Sequence, residues 1–417
     1  MFGLPPQCSS DLHLTNLISM HSNAFISKLI MEQNREMTEE RHLIMLPGPT
    51  NVSDRVMRAM LKPIINHHGP EFNALYDSIT PNLKYVFQTK NDPYILTASG
   101  TGAVECAVGN IVNPNDKIIV PVFGVFSERI KEKILRHGGK PIEIPIKWGT
   151  APTAEQIEET IKKEKDAKAV AIVYNETSTG VTVRDLPAIG EITKENNMLL
   201  LVDAVSILGG DNLPVDNWNI DICVAGSQKC LACPPGLAVV AVSEKAWETI
   251  EKTAHRPYYF DLISYREYGA KKDYPFTPAL TLFYALDEAL KMIREESLEA
   301  RFKRHAQCAQ AFYAASEALN LQPYPSPEVR SNTVIAINVP SGVDGSKVRQ
   351  IMKNRYKVEI VGGAGKIREL IFRIGCMGIV SEAETLTTIS ALENALNDVG
   401  YKVKIGAGVE AARKIFH

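Results

Sequence analysis

The sequence predicts an α/β protein, and three observations carry the prediction. Six short apolar runs, Tyr94 to Ala98, Ile118 to Val122, Ala169 to Tyr174, Leu199 to Val202, Ile222 to Ala225 and Leu237 to Val242, have the length and side-chain type of buried strands. Amphipathic stretches lie between them, such as Phe126 to His137 and Ala154 to Lys165, and strands alternating with helices build βαβ units on a mainly parallel sheet. After about residue 300 the pattern changes to a helix, a strand from Thr333 to Asn338 and a helix from Ser346. Strands near Val358 to Val361 and Glu369 to Ile374 and a last helix from Ser381 to Asp398 complete a separate, smaller α+β domain.

The 417 residues are enough for two domains, and the expected division is 43–300 for the large one and 301–417 for the small one. Residues 1–42 carry few charges early on and no clear strand or turn signal, so they read as an N-terminal extension, disordered, with no targeting signature. Hydrophobic residues make up 45% and charged residues 23%, which excludes a mostly disordered or collagen-like chain. A net charge of −2 gives no global field for nucleic acid or an anionic membrane. No apolar run approaches the roughly 18 residues of a membrane span. Seven cysteines without zinc-ligand spacing favour free thiols, a reducing compartment and a cytoplasmic location. Cys230 and Cys233 stand in C-x-x-C spacing, which fits a redox dithiol or two small packing residues.

The first strand runs into Ser99-Gly100-Thr101-Gly102-Ala103 and then a helical stretch, an arrangement that can hold a phosphate on backbone N–H groups at a helix start. A dinucleotide fingerprint would need glycine at Glu105, and a P-loop would need Gly-Lys-Ser/Thr, so a single-phosphate cradle or an unliganded tight turn remains. Asp203 ends the apolar run Leu199 to Val202 and needs a partner, either a helix cap or a cationic ring nitrogen at the carboxyl edge of the sheet. The next strand ends in Gly226-Ser227-Gln228-Lys229-Cys230, placing a lysine at the same edge. Most lysines lie on exposed faces, and a desolvated one suits Schiff-base chemistry. A phosphate cradle, a strand-end aspartate and a strand-end lysine, in that order, are the parts of a pyridoxal 5′-phosphate site.

The stretches Leu46 to Val52, Ala98 to Glu105, Glu176 to Val181, Leu201 to Gly210, Gly226 to Gly236 and Phe372 to Gly378 occur in the order found in class V aminotransferases, and over about residues 43–400 the chain resembles that family. It is most like the alanine–glyoxylate and serine–pyruvate members. The resemblance implies an aspartate-aminotransferase-like fold of type I and pyridoxal 5′-phosphate as cofactor. It implies Lys229 as the lysine that binds the cofactor and moves the proton, and Asp203 as the carboxylate on the ring nitrogen. Thr101, Gly102 and Ala103 would face the phosphate and cofactor edge, Ala103 standing where relatives carry a histidine. Gln228 would add a phosphate contact, Thr177 would reach the ring hydroxyl, and Phe126 would stack on the ring. Tyr274 and Thr277 match a segment that in the family completes the neighbouring subunit's phosphate site, which implies a homodimer. Arg373, inside an apolar strand, would clamp the substrate α-carboxylate, and Gly48 would approach the substrate by its backbone.

The implied reaction is a ping-pong transamination from alanine or serine to glyoxylate or pyruvate. Relatives acting on aspartate, 2-aminoethylphosphonate, ureidoglycine or pyridoxamine share these motifs, and a non-catalytic module on the same fold is a further alternative. Gln228 in place of a histidine argues against cysteine desulfurase chemistry. No metal is expected: adjacent His67 and His68 point different ways and lack a third ligand.

Overall fold

A computed structural model describes residues 42–417, so the expected N-terminal extension lies outside the described residues. Seven strands form the main sheet: β1 (Tyr94–Leu96), β2 (Lys117–Val122), β3 (Lys140–Pro145), β4 (Ala169–Val173), β5 (Leu199–Asp203), β6 (Ile222–Gly226) and β7 (Ala238–Val242). Their spatial order is β1-β7-β6-β5-β4-β2-β3. The pairs from β3 through β6 are parallel, and β7 runs antiparallel to both β6 and β1. Strands β4 to β7 are buried at every position, which is why they read as continuous apolar runs rather than alternating ones.

All six expected strands form. The sequence reading missed β3, an edge strand whose alternating exposure and two prolines, Pro141 and Pro145, hide its pattern. Helix α1 (Gly100–Ile111) follows β1, and helix α2 (Val125–Arg136) follows β2, so both begin at the carboxyl edge where β5 and β6 end.

The C-terminal part holds a three-stranded antiparallel sheet of β8 (Val334–Asn338), β9 (Val361–Gly362) and β10 (Ile371–Gly375), with β10 central. Buried side chains fall into two main apolar clusters. One runs from Val56 to Leu298, and the other joins Met45 to residues between Cys308 and Ala412. Leu43–Ile44 pairs in parallel with Val358–Glu359, so the start of the described chain packs with its C-terminal part. The helix Glu382–Asp398 is not the last: Ala407–Phe416 forms another, with Val409, Ala412, Ile415 and Phe416 against the second cluster. Its stripe is short and follows the Lys402 to Gly406 turn, so the periodicity is carried by few residues. Among the described residues, no helix is long and apolar enough to cross a membrane.

Candidate active site

A cavity, open at its mouth, lies where α1 and α2 begin beside the ends of β5 and β6. Six of the expected residues line it together: Thr101, Phe126, Thr177, Asp203, Gln228 and Lys229. Ser99 and Gly100 complete its helix-end wall.

Ser99 caps α1 without a side-chain hydrogen bond to the helix, and the first N–H groups of a helix have no acceptor within it. Gly100, Thr101 and Gly102 supply those groups. Ala103 does not, because its N–H already donates to the Ser99 carbonyl at 3.1 Å and its side chain is fully buried. Gly102 is closely packed on its other side. A Cβ built on it would meet Ala98 and the Phe260 ring at 2.9 and 3.3 Å. The lining contributed by this turn is Ser99, Gly100 and Thr101, and Gly102 and Ala103 follow them in the first turn of α1.

Asp203 ends β5 with 7% exposure, and its Oδ1 accepts from the Val205 N–H at 2.9 Å. Burial pushes its carboxyl up to about 6. Glu176 pushes the same way, against the Val205 bond and the charges of Lys133 and Lys229. Lys229 donates Nζ to the Pro47 carbonyl, and burial lowers its amine to about 8, with Arg373 adding to the effect and Asp203 opposing it. Gln228 keeps its buried Oε1 without a partner among the described residues.

Phe126 sits in the first turn of α2, at the cavity wall, with the Arg129 guanidinium 4.9 Å from its ring centre. Glu176 fixes that turn: its carboxylate accepts from the N–H groups of Phe126 and Ser127 at 3.2 and 2.9 Å and from the Ser178 hydroxyl. The sequence reading quoted Glu176 in a motif but gave it no role. A carboxylate over a helix start satisfies free N–H groups and the helix dipole together.

Arg373, on β10, lies outside the cavity lining. Its guanidinium donates to the carbonyls of Gly362 at 2.8 Å, Thr177 at 3.1 Å and Gly363 at 3.3 Å. No carboxylate pairs with it among the described residues. Burial brings it down to about 10. Gly48 packs on the end of the Lys229 side chain rather than on open space.

Tyr274 and Thr277 do not line the cavity of their own chain. Tyr274 is 2% exposed and its hydroxyl accepts from the Thr97 N–H at 2.9 Å, while Thr277 is exposed. His68 pairs with Asp273 at 2.9 Å, and no group of three potential metal ligands occurs among the described residues. Lys133 was also missed. It lines the cavity from the buried face of α2, at a position whose signal is a lysine on an apolar stripe.

Comparisons with known proteins show the family and the fold. The family model described as aminotransferase class-V matches residues 49–374. An uncharacterized aminotransferase from Methanocaldococcus jannaschii is 42% identical, over 90% of this chain and 97% of its own length. A serine–glyoxylate aminotransferase from Methylorubrum extorquens is 37% identical, over 89% of this chain and 95% of its own. The crystal structure of ureidoglycine–glyoxylate aminotransferase from Bacillus subtilis superposes with a TM-score of 0.87 at 32% identity, covering 90% of this chain and 98% of that one. With a match over most of its length and the fold to go with it, the chain belongs to the class V aminotransferases, pyridoxal-phosphate-dependent enzymes of fold type I.

Proposed function

We propose that this enzyme moves an amino group from a small amino acid, alanine or serine, to a 2-oxo acid, glyoxylate or pyruvate. The observation that carries the reading is the meeting of Lys229 and Asp203 in one cavity, with an Arg373 guanidinium bonded only to carbonyls beside its wall. The printed name of the serine–glyoxylate relative supports the substrate class.

The residues present fit pyridoxal 5′-phosphate. The free N–H groups at the start of α1 suit a phosphate, and Asp203 suits a protonated ring nitrogen. Phe126 would cover a ring face, Thr177 would meet the ring hydroxyl, and Lys229 would attach the group. Once bound, the cofactor supplies an electron sink for the substrate Cα. Lys229, its amine already depressed, takes the Cα proton at Nζ and returns it. Arg373 clamps the α-carboxylate bidentately and so decides which Cα bond is presented. The two substrates react in turn at the same site.

The assembly we propose is a homodimer in the cytoplasm. Thr277, exposed on its own chain, is free to reach a neighbour's phosphate site, and the Tyr274 hydroxyl, which accepts from the Thr97 N–H, can still donate its proton there. We also propose the division of each chain into 43–300 and 301–417.

A visible spectrum of the purified protein tests the reading. The cofactor band should bleach with L-alanine or L-serine and return with glyoxylate. No band, even after incubation with pyridoxal phosphate, would sink the proposal. Bleaching only with ureidoglycine would favour the second reading, which the likeness to the Bacillus enzyme supports.

A further inference from the structure

Lys133 is a buried cation that the reaction described above does not use. It is 8% exposed and occupies the core-facing stripe of α2 with Ser127, Ile130 and Ile134. Its Nζ donates to the Arg129 carbonyl of its own helix at 3.4 Å, and it has no ion pair among the described residues. Burying an ammonium with so little compensation is costly, so a lysine in place of an apolar residue calls for an anion nearby. Two carboxylates are in electrostatic range. Glu105, on α1, is taken by His137 at 2.6 Å. Asp203, across the cavity wall, has its Val205 bond and no ion pair.

We propose that Lys133 is a positioning residue for Asp203, a counter-cation on the inner cavity wall that keeps this carboxylate ionised and ready for the cationic ring nitrogen of the cofactor. The inference rests on the function proposed above. Every charged neighbour of the pair bears on the sign. Glu176, on the segment after β4, and burial favour the neutral acid, while Lys133 from α2 and Lys229 after β6 favour the carboxylate. Cys223, on β6, is a neutral thiol, held so by burial. Lys133 in turn meets Glu105, Asp203 and the like charge of Arg129. Removing Lys133 leaves Lys229 as the lysine that favours the Asp203 carboxylate, and Lys229 would give up that role on binding the cofactor.

The test is retention of pyridoxal phosphate by the full-length protein after gel filtration between pH 4.5 and 8. Wild type, Lys133→Met, Lys133→Gln and Lys133→Arg are compared, so that misfolding of one variant leaves the others to decide. The cofactor's own titrations are common to all four and cancel. Retention is expected to fall on the acid side as Asp203 takes up a proton. The half-retention pH should rise by roughly half a unit to one unit in Lys133→Met and Lys133→Gln, and stay with wild type in Lys133→Arg. Coincident midpoints, or a uniform loss at every pH, would overturn the role of Lys133 while leaving the cofactor assignment standing. A wild type that retains no pyridoxal phosphate at any pH would overturn the function proposed above, and this inference with it.

Discussion

Gly48 lies against the end of the Lys229 side chain: a Cβ built on Gly48 would land on Cδ, Cε and Nζ. The Pro47 carbonyl accepts from the same Nζ, so the turn before Thr50 both covers the amine and tells it where to sit. Gly48 also has φ of +105°, which a side chain tolerates poorly. Gly48→Ala should therefore cost about 1–3 kcal/mol in strain and push the amine from its place. Thermal unfolding should shift down by several degrees, and the cofactor band per chain should fall. An unchanged band would mean that the turn yields freely and has no part in placing Lys229.

Lys229→Ala separates catalysis from folding. The side chain makes one hydrogen bond, to the Pro47 carbonyl, so its loss should leave near-UV circular dichroism intact. Turnover should fall by about three orders of magnitude, the middle of the range that a positioned general base contributes. Turnover near the wild-type level would remove the proton-transfer role from this lysine.

Arg373 reaches from β10 of the C-terminal sheet to the Thr177 carbonyl at 3.1 Å, so it touches the cavity wall with no carboxylate paired to it among the described residues. Lysine at 373 keeps a charge but loses the planar fork. Arg373→Lys should lower kcat/KM for alanine by about ten- to a hundredfold, the worth of a charge-assisted bond. The deciding comparison is with ethylamine, which has no carboxylate: the preference for alanine should shrink in the variant. An equal loss for both amines would assign Arg373 a structural role instead.

The parts of the site that could be read from the sequence are those where one residue breaks a strong pattern. Asp203 ends one apolar strand and Lys229 follows shortly after another, and the structure puts both in one cavity. Lys133 breaks a pattern as well, on the stripe with Ile130 and Ile134, but one lysine in an otherwise charged helix gave too little contrast to stand out. The exact start of α1, and with it the set of free N–H groups, was not legible, because caps are set by tertiary context. Likewise, the bond from Thr97 to Tyr274 joins residues far apart in the chain, and nothing local announces it. Edge strand β3 shows the converse: its local signals, two prolines and alternating polarity, argue against the structure that pairing with β2 imposes.

The Asp203 carboxyl is raised to about 6, above an ordinary unfolded value near 4. Since the folded protein holds the proton more tightly, this group's contribution to stability is present below about pH 4 and lost as pH climbs through 6. In the cofactor-free protein, Asp203→Asn removes that loss. The melting temperature of the variant relative to wild type should rise between pH 4 and 6 and then level off. Adding pyridoxal phosphate should reverse the order at pH 7, because a cationic ring nitrogen rewards the carboxylate and not the amide. A gap that stays constant with pH would mean that Asp203 titrates close to its ordinary value.

The C-x-x-C pair offers the last test. Both thiols are buried, and Cys230 Sγ donates to the Ser206 carbonyl at 3.5 Å. Burial pushes the Cys230 thiol up to about 12 and the Cys233 thiol up as well, although Arg301 and Lys229 pull Cys230 the other way. Redox cysteines work as thiolates, which need the opposite shift and access to solvent. Arg301 also donates to the carbonyls of Gly209 at 2.9 Å and Cys230 at 2.6 Å, tying the loop between Lys229 and Cys233 to the helix at Leu298–Ala318. The burial of both thiols fits small packing residues in the loop that carries Lys229. In the native protein, alkylation mapped by mass spectrometry should leave both unmodified until the chain unfolds, and Cys233→Ala should keep the cofactor band. Rapid labelling of either thiol at neutral pH, or a disulfide between them after mild oxidation, would return the pair to redox chemistry.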